Sequence, residues 1–248
     1  MLRRMQEFDV GIGAVVVLHG HGDEPSAARE WGRRVAPAGW EVVAPGAPRG
    51  SDGLRSWFET GSRGADLDGI ERSTRKVAEL VEQVRGQGRP VAVVGFSQGG
   101  ALALCLGLAG CRPDAVAAVC AFLPDVDDDS FLGRVGTGVD AAPLLMVAGG
   151  DDEIVPSFLS TDAATLLASD GRHVTTVVEP GGHEVTTVAA DRVRTWIDGA
   201  LSSGVKASLA LPVDRTSTGA ELVSGDAIAE LSAAYERLGF DAAYVTDH

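Results

Sequence analysis

Short apolar runs rich in valine and alanine alternate along the chain with longer segments whose apolar positions recur every three to four residues. The runs at 10–18, 41–44, 91–94, 115–122, 143–148 and 174–178 predict strands. Those at 10–18, 91–94 and 115–122 are continuous enough to be buried on both faces, as in the middle of a parallel sheet. Between them, residues 67–84 place Ile70, Val77, Leu80, Val81 and Val84 on one side of a helix, with charged residues opposite. Further helices are predicted from an N-cap at Ser26 through Trp31 to Val35, and over 98–108, 157–167 and 188–201. Strands and helices alternating in this way specify an α/β fold, a mostly parallel, doubly wound sheet with helices on both faces.

The pattern changes most abruptly at Gly95-Phe-Ser-Gln-Gly99, where a strand gives way to a helix rich in small residues. A turn that tight forces its central residue into a strained backbone and leaves no room for a Cβ at the flanking positions, which accounts for both glycines. It presents the Ser97 hydroxyl above the carboxyl end of the sheet, where open α/β sheets place their chemistry. Other strands end there in polar or glycine-rich loops: His19-Gly-His-Gly-Asp23, Gly149-Gly-Asp-Asp-Glu153 and Glu179-Pro-Gly-Gly-His183. The irregular stretch 45–59 has too many Gly and Pro for a regular element. Its Leu54, Trp57 and Phe58 point to an ordered, functional loop rather than a disordered one.

Composition narrows the partners. A net charge of −14 over 248 residues argues against nucleic acid or an anionic membrane surface, and no stretch approaches the length of a membrane span. Arg3-Arg4 invites a twin-arginine export reading, but Glu7 and Asp9 follow and the next apolar run is too short, so a cytoplasmic location is expected. Cys105, Cys111 and Cys120, odd in number and set in apolar stretches, predict reduced, buried thiols with packing roles. The acidic tract 125–129 reads as a solvated loop, since no spaced ligand pattern follows it. No metal and no cofactor is expected.

A serine needs a base within hydrogen-bond reach and a third group to orient that base. Of five histidines, His183 lies on a loop at the edge to which Ser97 points. His173 starts the same strand on the wrong side, His248 is the last residue, and His19 and His21 are better placed to line the site. Asp151 and Asp152 close a strand between Ser97 and His183, and Asp152 is favoured because Ile154-Val-Pro156 follows. The order Ser, Asp, His is that of an α/β-hydrolase. The amide of Gln98 and one from the loop at His21 would bind the oxyanion. Leu54, Trp57, Phe58, Leu123 and Val155 are the expected substrate contacts.

Leu18-His-Gly-His-Gly-Asp23, Arg55-Ser-Trp-Phe-Glu59, Gly95-Phe-Ser-Gln-Gly-Gly100, Asp152-Glu-Ile-Val-Pro156 and Gly182-His183, in this order over about residues 10–202, resemble the phospholipase/carboxylesterase family of α/β-hydrolases. That group includes acyl-protein thioesterases and small carboxylesterases. The resemblance implies an α/β-hydrolase fold and a Ser97, Asp152, His183 triad. It also implies an oxyanion hole at the amides of His21 and Gln98, and an acyl pocket bordered by the Trp57 loop. His21, where the family often has Leu, makes that wall more polar. The implied activity is hydrolysis of small to medium carboxylic esters or thioesters, with a small-molecule ester as partner. Dienelactone hydrolases are neighbours but carry cysteine at the elbow.

The pattern restarts after residue 203 with a strand at 205–211, a helix at 225–238 and a strand at 240–245. These resemble the opening strand-helix-strand of luciferase-like flavin monooxygenases, which are TIM barrels. With only that fragment present no flavin site is complete, and self-association through the segment is the expected way to cover its apolar face. The expected domains are therefore a hydrolase at 1–203 and an appendage at 204–248. The competing readings are a non-catalytic ligand-binding α/β-hydrolase scaffold and the front of a bifunctional hydrolase and flavin enzyme.

Overall fold

The apolar runs pair side by side in a computed structural model that describes residues 12–50, 52–62, 64–86, 88–128, 130–135 and 142–202, and the backbone at 210–212 and 244–246. It divides into two compact units, Met1–Asp198 and Gly199–His248. In the first unit the main-sheet strands are β1 (Ala14–Leu18), β2 (Glu41–Val43), β5 (Val91–Phe96), β6 (Ala115–Val119), β7 (Leu144–Gly149) and β8 (Val174–Glu179). A two-residue hairpin, β3 (Thr60–Gly61) and β4 (Gly64–Ala65), lies outside that sheet. All pairings in the main sheet are parallel, in the order β2-β1-β5-β6-β7-β8. Every residue of β1, β6 and β7 is buried.

The helices are α1 (Pro25–Val35), α2 (Leu67–Arg85), α3 (Gln98–Leu104), α4 (Phe131–Arg134), α5 (Ser157–Ser169) and α6 (Thr187–Ser202). In α2 the predicted stripe holds: Ile70, Val77, Val81 and Val84 are buried and Leu80 is partly so. None of the described helices is long and apolar enough to cross a membrane.

Three boundaries differ from expectation. Glu24, not Ser26, caps α1, because Pro25 occupies the first helical position, where its missing N–H costs nothing. Glu24 makes no cap bond and instead pairs with Arg49 and Arg55. The helix predicted over 98–108 stops at Leu104, and a 3₁₀ turn (Leu106–Ala109) continues to Gly110, whose φ of 64° ends it. The strand predicted to reach residue 122 stops at Val119, because Cys120 turns the chain with φ 48°.

The topology positions the chemistry. The chain runs outward from β1 to β2 and then returns to lay β5 on the other side of β1, so the strand order reverses between β1 and β5. Loops leaving their carboxyl ends diverge there and open a crevice. Leu18 is in register with Gly95 across that pair, which brings His19-Gly-His21 alongside Ser97.

In the second unit β9 (Ala210–Pro212) pairs in parallel with β10 (Tyr244–Thr246). The helix expected at 225–238 lies outside the described residues, as do Arg3-Arg4 and His248.

Candidate active site

Ser97 sits between β5 and α3 with φ 52° and ψ −122°, a conformation a non-glycine residue adopts only where its surroundings enforce it. Its N–H donates to the Val119 carbonyl at 2.9 Å and its own carbonyl accepts from Ala101 at 2.9 Å. A Cβ at Gly95 would lie 2.2 Å from the Gly99 carbonyl oxygen, and one at Gly99 would lie 2.2 Å from that of Leu18. Strand and helix therefore meet only because both positions are glycine.

His183, 86 residues on, places Nε2 2.9 Å from Ser97 Oγ. Its Nδ1 lies 2.8 Å from Asp152 Oδ2, and its ring packs on Phe96 at a centroid distance of 4.9 Å. Asp152 is buried, and its other oxygen accepts the amides of Ile154 and Val155 at 2.9 and 2.8 Å. Burial alone would push this carboxyl up. The Val155 amide, the His183 ring and the Ile154 amide outweigh it and hold the pKa below the ordinary carboxylate value. The neighbouring Asp151 is exposed.

The amides of His21 and Gln98 are engaged by no protein acceptor among the described residues, while the flanking Gly22 and Asp23 amides are bonded to Arg55 and Gly20 carbonyls. The His21 ring is exposed, 3.7 Å from Asp52. His19 does not line the opening as expected: it is wholly buried, because its ring ties two loops together. Its Nε2 accepts the Ala47 amide at 3.0 Å and its Nδ1 lies 2.7 Å from the Gly20 carbonyl. That pair of bonds fixes a neutral ring protonated on Nδ1, and burial lowers its pKa.

The expected substrate contacts divide into two groups. Trp57 and Phe58 are core residues, Trp57 donating its indole N–H to the His19 carbonyl at 2.8 Å. Val155 is also buried, its amide on Asp152. Leu54 is exposed beside Gly22, and Leu123 lines a groove of about 440 Å³ together with Phe122, Leu159 and Leu166. In the acidic tract Asp128 accepts the Ser130 amide and hydroxyl and pairs with Arg134, so it organises a turn.

A packing role was too narrow for Cys120. Its Sγ lies 3.7 and 3.8 Å from the carbonyls of Gly182 and Glu184, the two neighbours of His183. Its left-handed backbone is the missing signal, invisible in a run that reads as continuous strand. Among the described residues Cys120, Asp152 and His183 bring ligand-type atoms within 4.8 Å of one another. Burial, with the Asp152 charge beside it, pushes the Cys120 thiol up to about 12, and the carboxylate and ring atoms are already hydrogen-bonded. That donor set suits proton transfer better than a metal ion.

Comparison with known proteins agrees with this architecture. The chain is 27% identical over 207 residues to acyl-protein thioesterase 1 of Gibberella zeae, covering 74% of this chain and 88% of the fungal protein. Two solved structures share the fold. One is acyl-protein thioesterase 2 of Zea mays, with a TM-score of 0.67 and 21% identity over 77% of this chain and 94% of that one. The other is a carboxylesterase from Mesorhizobium loti, with a TM-score of 0.65 and 22% identity over 77% and 92%. A family model described as phospholipase/carboxylesterase matches residues 11–200, and the chain belongs to that family.

Proposed function

We propose that the chain is a serine carboxylesterase that cleaves small to medium carboxylic esters, thioesters included, through an acyl-enzyme on Ser97. The observation that carries this reading is the linear file of Ser97 Oγ, the His183 ring and Asp152, at 2.9 and 2.8 Å. His183 takes the hydroxyl proton as Ser97 attacks the acyl carbonyl, then returns it to the leaving alcohol or thiol. Asp152, held ionised, keeps the ring in the tautomer with Nε2 free and stabilises the imidazolium. The amides of His21 and Gln98 receive the oxyanion, and removing one such donor typically costs about 10²–10³ in turnover. Water then cleaves the ester by the same relay.

The exposed imidazole of His21 makes the entrance polar, which favours short acyl chains over long lipid ones. In this reading residues 1–203 form the hydrolase, 204–248 are an appended segment, and the free, buried thiols suit a reducing cytoplasm.

A panel of p-nitrophenyl esters and acyl thioesters of graded length tests the proposal. Ser97→Ala is expected to lower turnover by about 10⁴-fold or more and to abolish labelling by a fluorophosphonate. Retained turnover in that variant, or no labelling of the parent protein, would favour a ligand-binding scaffold instead.

A further inference from the structure

At the edge of the sheet opposite Ser97, a cavity of about 100 Å³ opens between the 3₁₀ turn and the amino ends of β6 and β7. Its walls are mostly apolar: Ala103, Leu104, Leu106, Val116, Val135 and Ala142. One wall is the guanidinium of Arg172, a residue only 8% exposed. Its Nε is buried without a hydrogen-bond partner, and its Nη1 reaches only the Leu104 carbonyl, at the long distance of 3.5 Å. No carboxylate among the described residues pairs with it. Arginine stays charged in proteins, so among the described residues this is a buried cation without a counter-ion. Buried charges are ordinarily paired, and one left open beside a cavity marks where an anion belongs.

We propose that this cavity binds a short-chain carboxylate, its carboxyl group on Arg172 and its alkyl tail against Leu104, Leu106, Val116 and Val135. The planar guanidinium matches a carboxylate in a two-bond fork, which would satisfy the stranded Nε. The mostly apolar walls offer few donors beyond Arg172 and the rim Arg112, so an alkyl carboxylate fits better than inorganic phosphate, whose remaining oxygens would go largely unsatisfied. The size sets the tail: a dry cavity of about 150 Å³ holds benzene, so this one takes about four non-hydrogen atoms within it, the carboxyl group and its first carbon, and leaves the rest of a short tail against the apolar rim. The exposed Arg112 stands at the rim and adds positive potential at the entrance. The cavity is separate from the Ser97 site, and the proposal does not depend on the catalytic reading.

Calorimetric titration of the full chain with acetate, butyrate and inorganic phosphate tests this. Butyrate is expected to bind saturably and more tightly than acetate, by about fourfold for each buried methylene, with phosphate weakest. Arg172→Met is expected to weaken butyrate by about tenfold or more, while His183→Ala, which alters the opposite edge, leaves it unchanged. Should Arg172→Met fail to fold by circular dichroism, Ala142→Phe fills the cavity from its partly exposed rim with the guanidinium intact, and it too should abolish binding. Absence of saturable butyrate binding, equal affinity for the three anions, or parent-like affinity in a folded Arg172→Met or Ala142→Phe protein would overturn the proposal.

Discussion

Gln98 and Trp57 lie 41 residues apart, yet the side-chain carbonyl of Gln98 accepts the Trp57 amide at 2.9 Å. The other end of the same side chain donates to the Phe58 carbonyl at 2.8 Å and to Ser56 Oγ at 3.2 Å. The first residue of the nucleophile helix thereby supplies the irregular 45–59 loop with the pairing it lacks by having no regular structure. Gln98→Ala would leave its backbone amide in place but strand the buried Trp57 N–H, at about 1–3 kcal/mol, while the Phe58 carbonyl would keep only the Ser56 hydroxyl. Gln98→Glu could accept from Trp57 but not donate to Phe58, and it would bury a charge. Urea unfolding should therefore rank stability as parent, then Gln98→Ala, then Gln98→Glu. A Glu variant as stable as the parent would show that the donor half of the amide is idle.

Asp151 and Asp152 are adjacent carboxylates with opposite environments, so exchanging each for Asn separates them. Asp152→Asn is expected to cut kcat by about 10⁴, because Asn favours the wrong imidazole tautomer. Asp151→Asn should leave it near the parent value, since exposed substitutions away from such networks are close to neutral. The sign of the linked pH effect follows from the depressed Asp152 carboxyl. Folding favours the ionised form, so its contribution to stability is complete above the unfolded pKa of about 3.9 and is lost as pH falls through the lower folded value. Acid unfolding curves of Asp152→Asn should lack that component. Equal catalytic losses in the two variants would mean that the wrong carboxylate has been assigned.

Most of the fold could be read from periodicity, because buried parallel strands and amphipathic helices leave local marks: β1, β5, β7 and α2 fall close to where valine runs and the Ile70–Val84 stripe put them. The grouping of Ser97, Asp152 and His183 on one edge followed from where each lies relative to its strand, which topology alone determines. Less legible were features set by backbone conformation and long-range bonds. Cys120 sits in what reads as uninterrupted strand, and only its φ of 48° shows that the chain has turned beneath His183. Trp57 and Phe58 look like exposed loop aromatics until the distant Gln98 and His19 draw them into the core. Arg172 beside a cavity is invisible in sequence, since any surface arginine reads the same.

Cys120 holds a left-handed backbone that disfavours branching at Cβ. Cys120→Val would add that strain and remove the contact with the Gly182 and Glu184 carbonyls, and it is expected to cost about 1–3 kcal/mol. Cys120→Ser keeps an unbranched donor and should be much milder. Thiol chemistry gives an independent reading. Burial pushes the Cys111 thiol up to about 11 and, with the Asp152 charge, Cys120 up to about 12, and burial raises Cys105 further. Native protein near pH 8 should therefore react with a disulfide reagent very slowly, and all three thiols should titrate once it is unfolded. Rapid labelling of Cys120 in the folded chain would show that the His183 loop opens far more than its contacts allow.

His19 gives the fold a dependence on pH that has nothing to do with chemistry at Ser97. Its ring is buried and neutral, accepting from Ala47 and held against Gly20, and burial lowers its pKa below 6.5. Between that lowered value and about 6.5, the unfolded chain binds a proton that the folded chain refuses. Stability must then fall as pH drops below about 6.5 and be fully present above it. Protonation would also cost the Ala47 bond, freeing the residue 45–47 segment. His19→Phe removes the titrating group: it should be less stable than the parent near neutral pH, because the Ala47 amide loses its acceptor, yet show a flatter urea midpoint between about pH 7.5 and 5.5. Parallel pH profiles for parent and variant would mean that His19 takes up its proton as readily folded as unfolded, which its two buried hydrogen bonds do not permit.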